Sequence, residues 1–246
     1  METIVRWTNR LGMIGSSRTA PPPPPVTRRP DPTSQRGIRN AGLAAVVGAG
    51  LAIAGNTLVL AATPHAAKDT VSYPLSPSSF RAGQVFFAVT QLLMAWGVVG
   101  LARSGIGGRG RAARTGAWLA VAGFVLTVPG ELALGLVADA ATDSARANAV
   151  SSVYGIGVVL ADIGLIVLGV AALRARLWPR AGASLVLALG LFQLFVVTPV
   201  VVGAGFASVG AFVVITLQDV MVALLGFRLV GSADVSVRLT REGPSR

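Results

Sequence analysis

From Ala41 to Ala62 the chain runs without a single Lys, Arg, Asp or Glu, and it comes close to repeating this five more times. About 20 helical residues, rising roughly 1.5 Å each, cross the roughly 30 Å hydrocarbon layer of a bilayer. The first run meets that length. The others cover about 83–102, 117–137, 150–173, 183–203 and 207–227, separated by segments that hold most of the charges and prolines. A water-soluble fold would have to hide six apolar helices. With 53% hydrophobic and only 13% charged residues, the chain lacks the polar surface to do so. The expected fold class is all-α, a polytopic transmembrane helix bundle of six helices over residues 40–228, with the lipid bilayer as its first partner.

The net charge of +11 would suggest nucleic acid in a soluble protein. Here every basic residue but Lys68 is an arginine, and they crowd the connectors beside the apolar runs, which is how a membrane protein sets its orientation. No nucleic-acid partner is expected. Residues 1–39, the second and fourth connectors and the C-terminus carry 18 basic residues. The other side carries three, Lys68, Arg81 and Arg146, completing the total of 21. The positive-inside rule then predicts both termini in the cytoplasm (N-in/C-in), as an even number of spans requires. Residues 1–39, with Pro21–Pro25, have no apolar core long enough for a signal peptide. They are expected to form a disordered Pro/Arg-rich cytoplasmic tail, and residues 229–246 a short cytoplasmic tail.

The connector from Leu173 to Ala183 (LRARLWPRAGA), running straight into the fifth span, resembles a recurrent element of small bacterial polytopic membrane proteins of the domain-of-unknown-function type. The resemblance covers this connector and the helix after it. It implies a handful of helices and a multi-pass location in the bacterial plasma (inner) membrane, and it brings no activity or site residue with it. The Ala, Gly, Val and Arg bias is consistent with a GC-rich bacterial genome. A faint internal repeat pairs helices two and three with helices four and five, each second member carrying a Thr-plus-Pro element, Thr127-Val128-Pro129 and Thr198-Pro199.

Several chemistries are closed to this chain. It has no cysteine and one histidine, His65, so thiolate metal sites, disulfides and bis-histidine haem ligation are excluded. No metal, cofactor or catalytic residue is expected, and no Ser-His or Ser-Lys pair lies at membrane depth, so the protein is not expected to be an enzyme. The glycines 105, 107, 108 and 110 lack the Lys-Ser/Thr ending and preceding strand of a phosphate loop, and form a turn.

What remains is three acids inside the spans: Glu131, Asp162 and Asp219. A charged carboxylate at membrane depth costs at least about 2.5 kcal/mol, so each should face the bundle interior with a partner. Small and polar residues recur at helical spacing around them: Gly155 and Gly169 with Asp162; Thr216, Ala223 and Gly226 with Asp219; Thr127 with Glu131. Matching stripes run through Ala45, Ala49, Ala52 and Asn56, through Gln84, Ala88, Gln91 and Ala95, and through Gly190 and Gln193. By depth, Asp162 and Asp219 fall near the midplane and Glu131 in the outer third.

Two functions fit. The acids could serve a small transporter or ion-coupled carrier for protons or a small cationic solute, with Glu131, Asp162, Asp219, Asn56, Gln91 and Gln193 as candidate binding residues. Alternatively they tie helices together in a structural or assembly subunit, a homo-oligomer or a companion of another membrane subunit. A carrier requires a water-reachable cavity that brings at least two of Glu131, Asp162 and Asp219 together, whereas an assembly subunit should leave a broad lipid-depth face of small residues unpacked and tolerates the acids far apart.

Overall fold

The computed structural model describes residues 32–108 and 110–241, with side chains over 33–108 and 110–232. Most of the tail expected at the N-terminus, residues 1–31, lies outside the described residues, as do residues 242–246. Six helices follow one another: α1 (Pro32–Ala61), α2 (Pro77–Arg103), α3 (Arg111–Leu136), α4 (Ala145–Ala175), α5 (Arg180–Ala204) and α6 (Val209–Arg241). Each is long and apolar enough to cross a bilayer. No strand occurs among the described residues beyond the isolated bridge Thr70–Ala141. The protein is an all-helical, multi-pass membrane bundle.

Serine capping sets three of the helix starts. Ser76 accepts the Ser79 N–H at 3.3 Å, and Pro77 occupies the first helical position, where its missing N–H costs nothing. Ser144 opens α4 in the same way, accepting the Ala147 N–H at 3.2 Å, and Ser208, before α6, accepts the Ala211 N–H at 3.1 Å. Helical structure extends beyond the expected spans at the start of α1 and at the end of α6. Residues 32–39 belong to α1, because a helix begins readily at a proline such as Pro32. Residues 229–241, expected as tail, continue α6. Bilayer thickness dictates where apolar residues must stop, not where a helix must, and no proline interrupts the sequence between Arg228 and Arg241.

The helices pack in chain order around a ring, with α6 returning against α1 and closing only lightly on α5. Small residues permit the tightest seams. A Cβ at Gly123 would collide with the backbone of Ala161, and one at Gly164 with the backbone of Ala120, so α3 and α4 touch main chain to main chain. Gly42 and Gly226 do the same between α1 and α6, where a Cβ on either would lie 2.6–2.7 Å from the other's carbonyl oxygen. The stripes expected on α1 and α2 are buried as read, through Ala45, Ala49 and Ala52 and through Gln84, Ala88 and Ala95. Gly155 is different. It faces open space, and the face that α4 buries against α3 is Gly157, Ala161 and Gly164.

The two ends of the bundle differ. At one, the α1–α2 and α3–α4 connectors knit into a lid: Val71 N–H donates to Ala140 O (3.0 Å), Ser72 N–H to Ala138 O (3.2 Å) and Thr142 N–H to Asp69 O (2.7 Å). Arg81 pairs with Asp139 there and donates from Nε to the Gly135 carbonyl at 3.3 Å. The opposite end collects the arginines that flank the other connectors.

Helix α5 is interrupted. Gln193–Val197 forms a π-helical turn, in which the Thr198 N–H donates to the Gln193 carbonyl five residues back. Pro199 follows, and having no N–H it cannot serve the carbonyls before it. Pro129, in contrast, sits within an unbroken α3. The two Thr-plus-Pro elements of the expected repeat therefore have different geometries.

Candidate functional site

All three acids are buried: Glu131 is 7% exposed, Asp162 2% and Asp219 4%. None is ion-paired among the described residues.

Glu131 has the richest surroundings. On α2, Gln84 and Gln91 stand two helical turns apart on one face. With its amide nitrogen turned toward α3, Gln84 donates to the Glu131 main-chain carbonyl at 3.2 Å and to Oε2 at 2.5 Å. Gln91 and the Tyr154 hydroxyl of α4 lie within reach of the same carboxyl. Tyr154 also lies within electrostatic reach of Asp219 on α6.

Asp162 is held differently. Gly190 of α5 packs so closely on its backbone that a Cβ there would sit 2.9 Å from the Asp162 carbonyl oxygen. Its side-chain Oδ2 is buried without a hydrogen-bond partner, as is Oδ2 of Asp219. Gln193, one turn beyond Gly190, opens the π turn and also buries an unpartnered side-chain oxygen.

Asn56 does not join this core. It lines a surface cleft of about 20 Å³, room for a single water, with Leu60, Phe206, Ser208 and Phe212 beside the α5–α6 turn. Its stripe with Ala45, Ala49 and Ala52 turns outward by the last step, where α1 nears the bundle end. A second cleft lies along α3 between Arg114, Trp118 and Ala122. No acid lines either cleft.

Tyr154 was not among the residues singled out in the sequence, and Gln84 was noted only as part of a stripe. A signal existed for the first. Tyr154 is one of only two tyrosines and stands within a span, where a phenol hydroxyl needs a hydrogen-bond partner. Its partner could not be named, since periodicity assigns a residue to a face of its own helix without saying which helix meets that face.

The chain matches no protein-family model, no curated protein and no solved structure.

Proposed function

We propose that the protein is a small ion-coupled carrier of the bacterial plasma membrane, with both termini in the cytoplasm, that moves protons or a small cationic solute by way of its buried carboxylates. The observation that carries this reading is the burial of Glu131, Asp162 and Asp219 inside the spans with no ion pair to any of them among the described residues. An uncompensated carboxylate in hydrocarbon costs about 2.5–3.5 kcal/mol on insertion scales, so Asp162 and Asp219, whose Oδ2 atoms have no partner, hold a proton or attract a cation from outside the chain. Both are states of a carrier's working cycle. No acid lines either cleft among the described residues, so a carrier must open a water-reachable cavity at another stage of that cycle.

One observation favours the alternative of an assembly subunit. Helix α5 is the least buried of the six and meets α6 only lightly, leaving Phe195, Val202 and Phe206 exposed along a seam that a second copy or a partner subunit would fill.

Purified protein in liposomes carrying a trapped pH dye distinguishes the two. Under an inside-negative potential, with and without a panel of small organic cations, the carrier reading expects internal pH changes absent from protein-free vesicles and reduced by Glu131→Gln. Traces identical to those of empty vesicles under every condition would leave the assembly reading standing.

A further inference from the structure

We propose that the π turn of α5 builds an all-oxygen site for a dehydrated sodium ion from Asp162, Gln193, Thr198, Thr216 and Asp219. The inference deepens the carrier reading by naming the coupling ion, and it rests on that reading for the ion's use.

The first observation is a set of unsatisfied atoms. Asp162 Oδ2, Gln193 Oε1, Thr198 Oγ1, Thr216 Oγ1 and Asp219 Oδ2 are all buried without a hydrogen-bond partner. Buried polar groups are ordinarily satisfied, and each exception calls for a cause. The threonines make the point sharply. Thr90 and Thr127 donate to the carbonyls of Phe87 and Phe124, three residues back, at 2.8 Å each. Nothing in a helix prevents Thr198 and Thr216 from doing likewise, yet they do not, and their oxygens stay available.

The second observation is that the elements carrying these atoms meet at the π turn. In a regular α-helix residues five apart point about 140° away from each other. The π turn absorbs one extra residue, so Gln193 and Thr198 stack one above the other, joined by the Thr198 N–H to Gln193 carbonyl bond. Gly190, one turn earlier, rests on the Asp162 carbonyl, which brings α4 alongside. The π turn also touches α6. Counting from the tight α5–α6 turn, Thr198 lies six residues before Ala204 and Thr216 seven after Val209, so the two share a depth of about 10 Å. Gln193 and Asp219, eleven and ten residues away, share one of about 15 Å, the middle of a roughly 30 Å core.

The third observation is a backbone oxygen. The Leu194 carbonyl would take the Thr198 N–H in an α-helix or the residue-199 N–H in a π-helix. The first is used by Gln193 and the second does not exist in Pro199. Interrupted membrane helices coordinate cations through freed carbonyls of this kind.

Every one of these groups is an oxygen, the donor set of a hard cation. Magnesium dehydrates reluctantly and keeps several waters, which a closed core does not accommodate. One sodium ion with one proton on the second carboxyl leaves the core electrically neutral. Water is the competing occupant, and water does not discriminate among salts.

The test is the melting temperature of the detergent-solubilised full-length protein in sodium, lithium, potassium, calcium or choline chloride at constant ionic strength. Sodium should give a saturable rise of about 5 °C at concentrations far above its Kd. Potassium and choline should give none. Asp162→Asn and Thr198→Val should abolish the rise, Thr198→Ser should restore it, and Glu131→Gln should keep it. If Asp162→Asn fails to fold, the Thr198 pair decides. Equal melting in every salt, a response to calcium alone, or a sodium response untouched by both Asp162→Asn and Thr198→Val overturns the site. The two claims fail separately. Proton movement without a sodium response removes the site and keeps the carrier, whereas a sodium response without any ion or solute movement removes the carrier and keeps the site.

Discussion

Tyr154 of α4 packs on Gly130 of α3 with its hydroxyl within reach of the neighbouring Glu131 carboxyl, along the seam where Gly123 and Ala161 bring the two helices into main-chain contact. Removing the hydroxyl in Tyr154→Phe keeps the ring and its packing. The loss of one interhelical hydrogen bond in a membrane is about 0.6 kcal/mol, so the melting temperature should fall by only about 2 °C. Proton movement in liposomes should fall about tenfold. A variant that melts lower but moves protons at the wild-type rate would reduce the tyrosine to a packing role.

Backbone contact between α3 and α4 makes Gly123 intolerant of any side chain. Gly123→Ala should destabilise by about 1–3 kcal/mol, because its Cβ would occupy the space of the Ala161 main chain. Gly155→Ala, with nothing within 4 Å of its Cβ, should stay within about 0.5 kcal/mol of wild type. Thermal melting in detergent measures both. Equal effects would place the α3–α4 seam on the wrong face of α4.

Orientation is tested by reporter fusions after Thr70, Gly108, Asp143, Trp178 and Thr240. The 18-to-3 imbalance of basic residues expects periplasmic signals at Thr70 and Asp143 and cytoplasmic ones at the other three. A periplasmic signal at Gly108 or Trp178 would invert the assignment.

Much of the fold could be read from residues alone, for a physical reason. The bilayer demands about 20 apolar residues per crossing, so spans announce themselves by composition. The alanine stripe of α1 and the Gln84, Ala88 and Ala95 stripe of α2 were legible because helical period fixes what shares a face. The helix ends were less so: Pro32 starts α1 and α6 runs on to Arg241, since hydropathy marks the membrane edge and not the end of hydrogen bonding. Burial of Glu131, Asp162 and Asp219 followed from the cost of exposing them to lipid. Which neighbours they meet did not follow. That information lies in the order of helices around the ring, and it is why Tyr154 escaped notice and Asn56 was placed with the acids when it faces a surface cleft. The π turn was hidden for a different reason. Thr127-Val128-Pro129 and Thr198-Pro199 look alike in sequence, yet α3 stays regular through the first and α5 turns π just before the second.

The central claim is that these buried carboxylates move charge across the membrane. Its most direct measurement is the transient current of the reconstituted protein on a solid-supported membrane, after steps in proton, sodium and organic-cation concentration. A protein-dependent charge displacement is expected for at least one of these steps, reduced at least about tenfold in Glu131→Gln and Asp219→Asn and unchanged in Asn56→Ala, with all three variants melting within about 5 °C of wild type. A well-folded wild-type protein that displaces no charge for any of these cations would contradict it and leave the acids as groups that hold helices together.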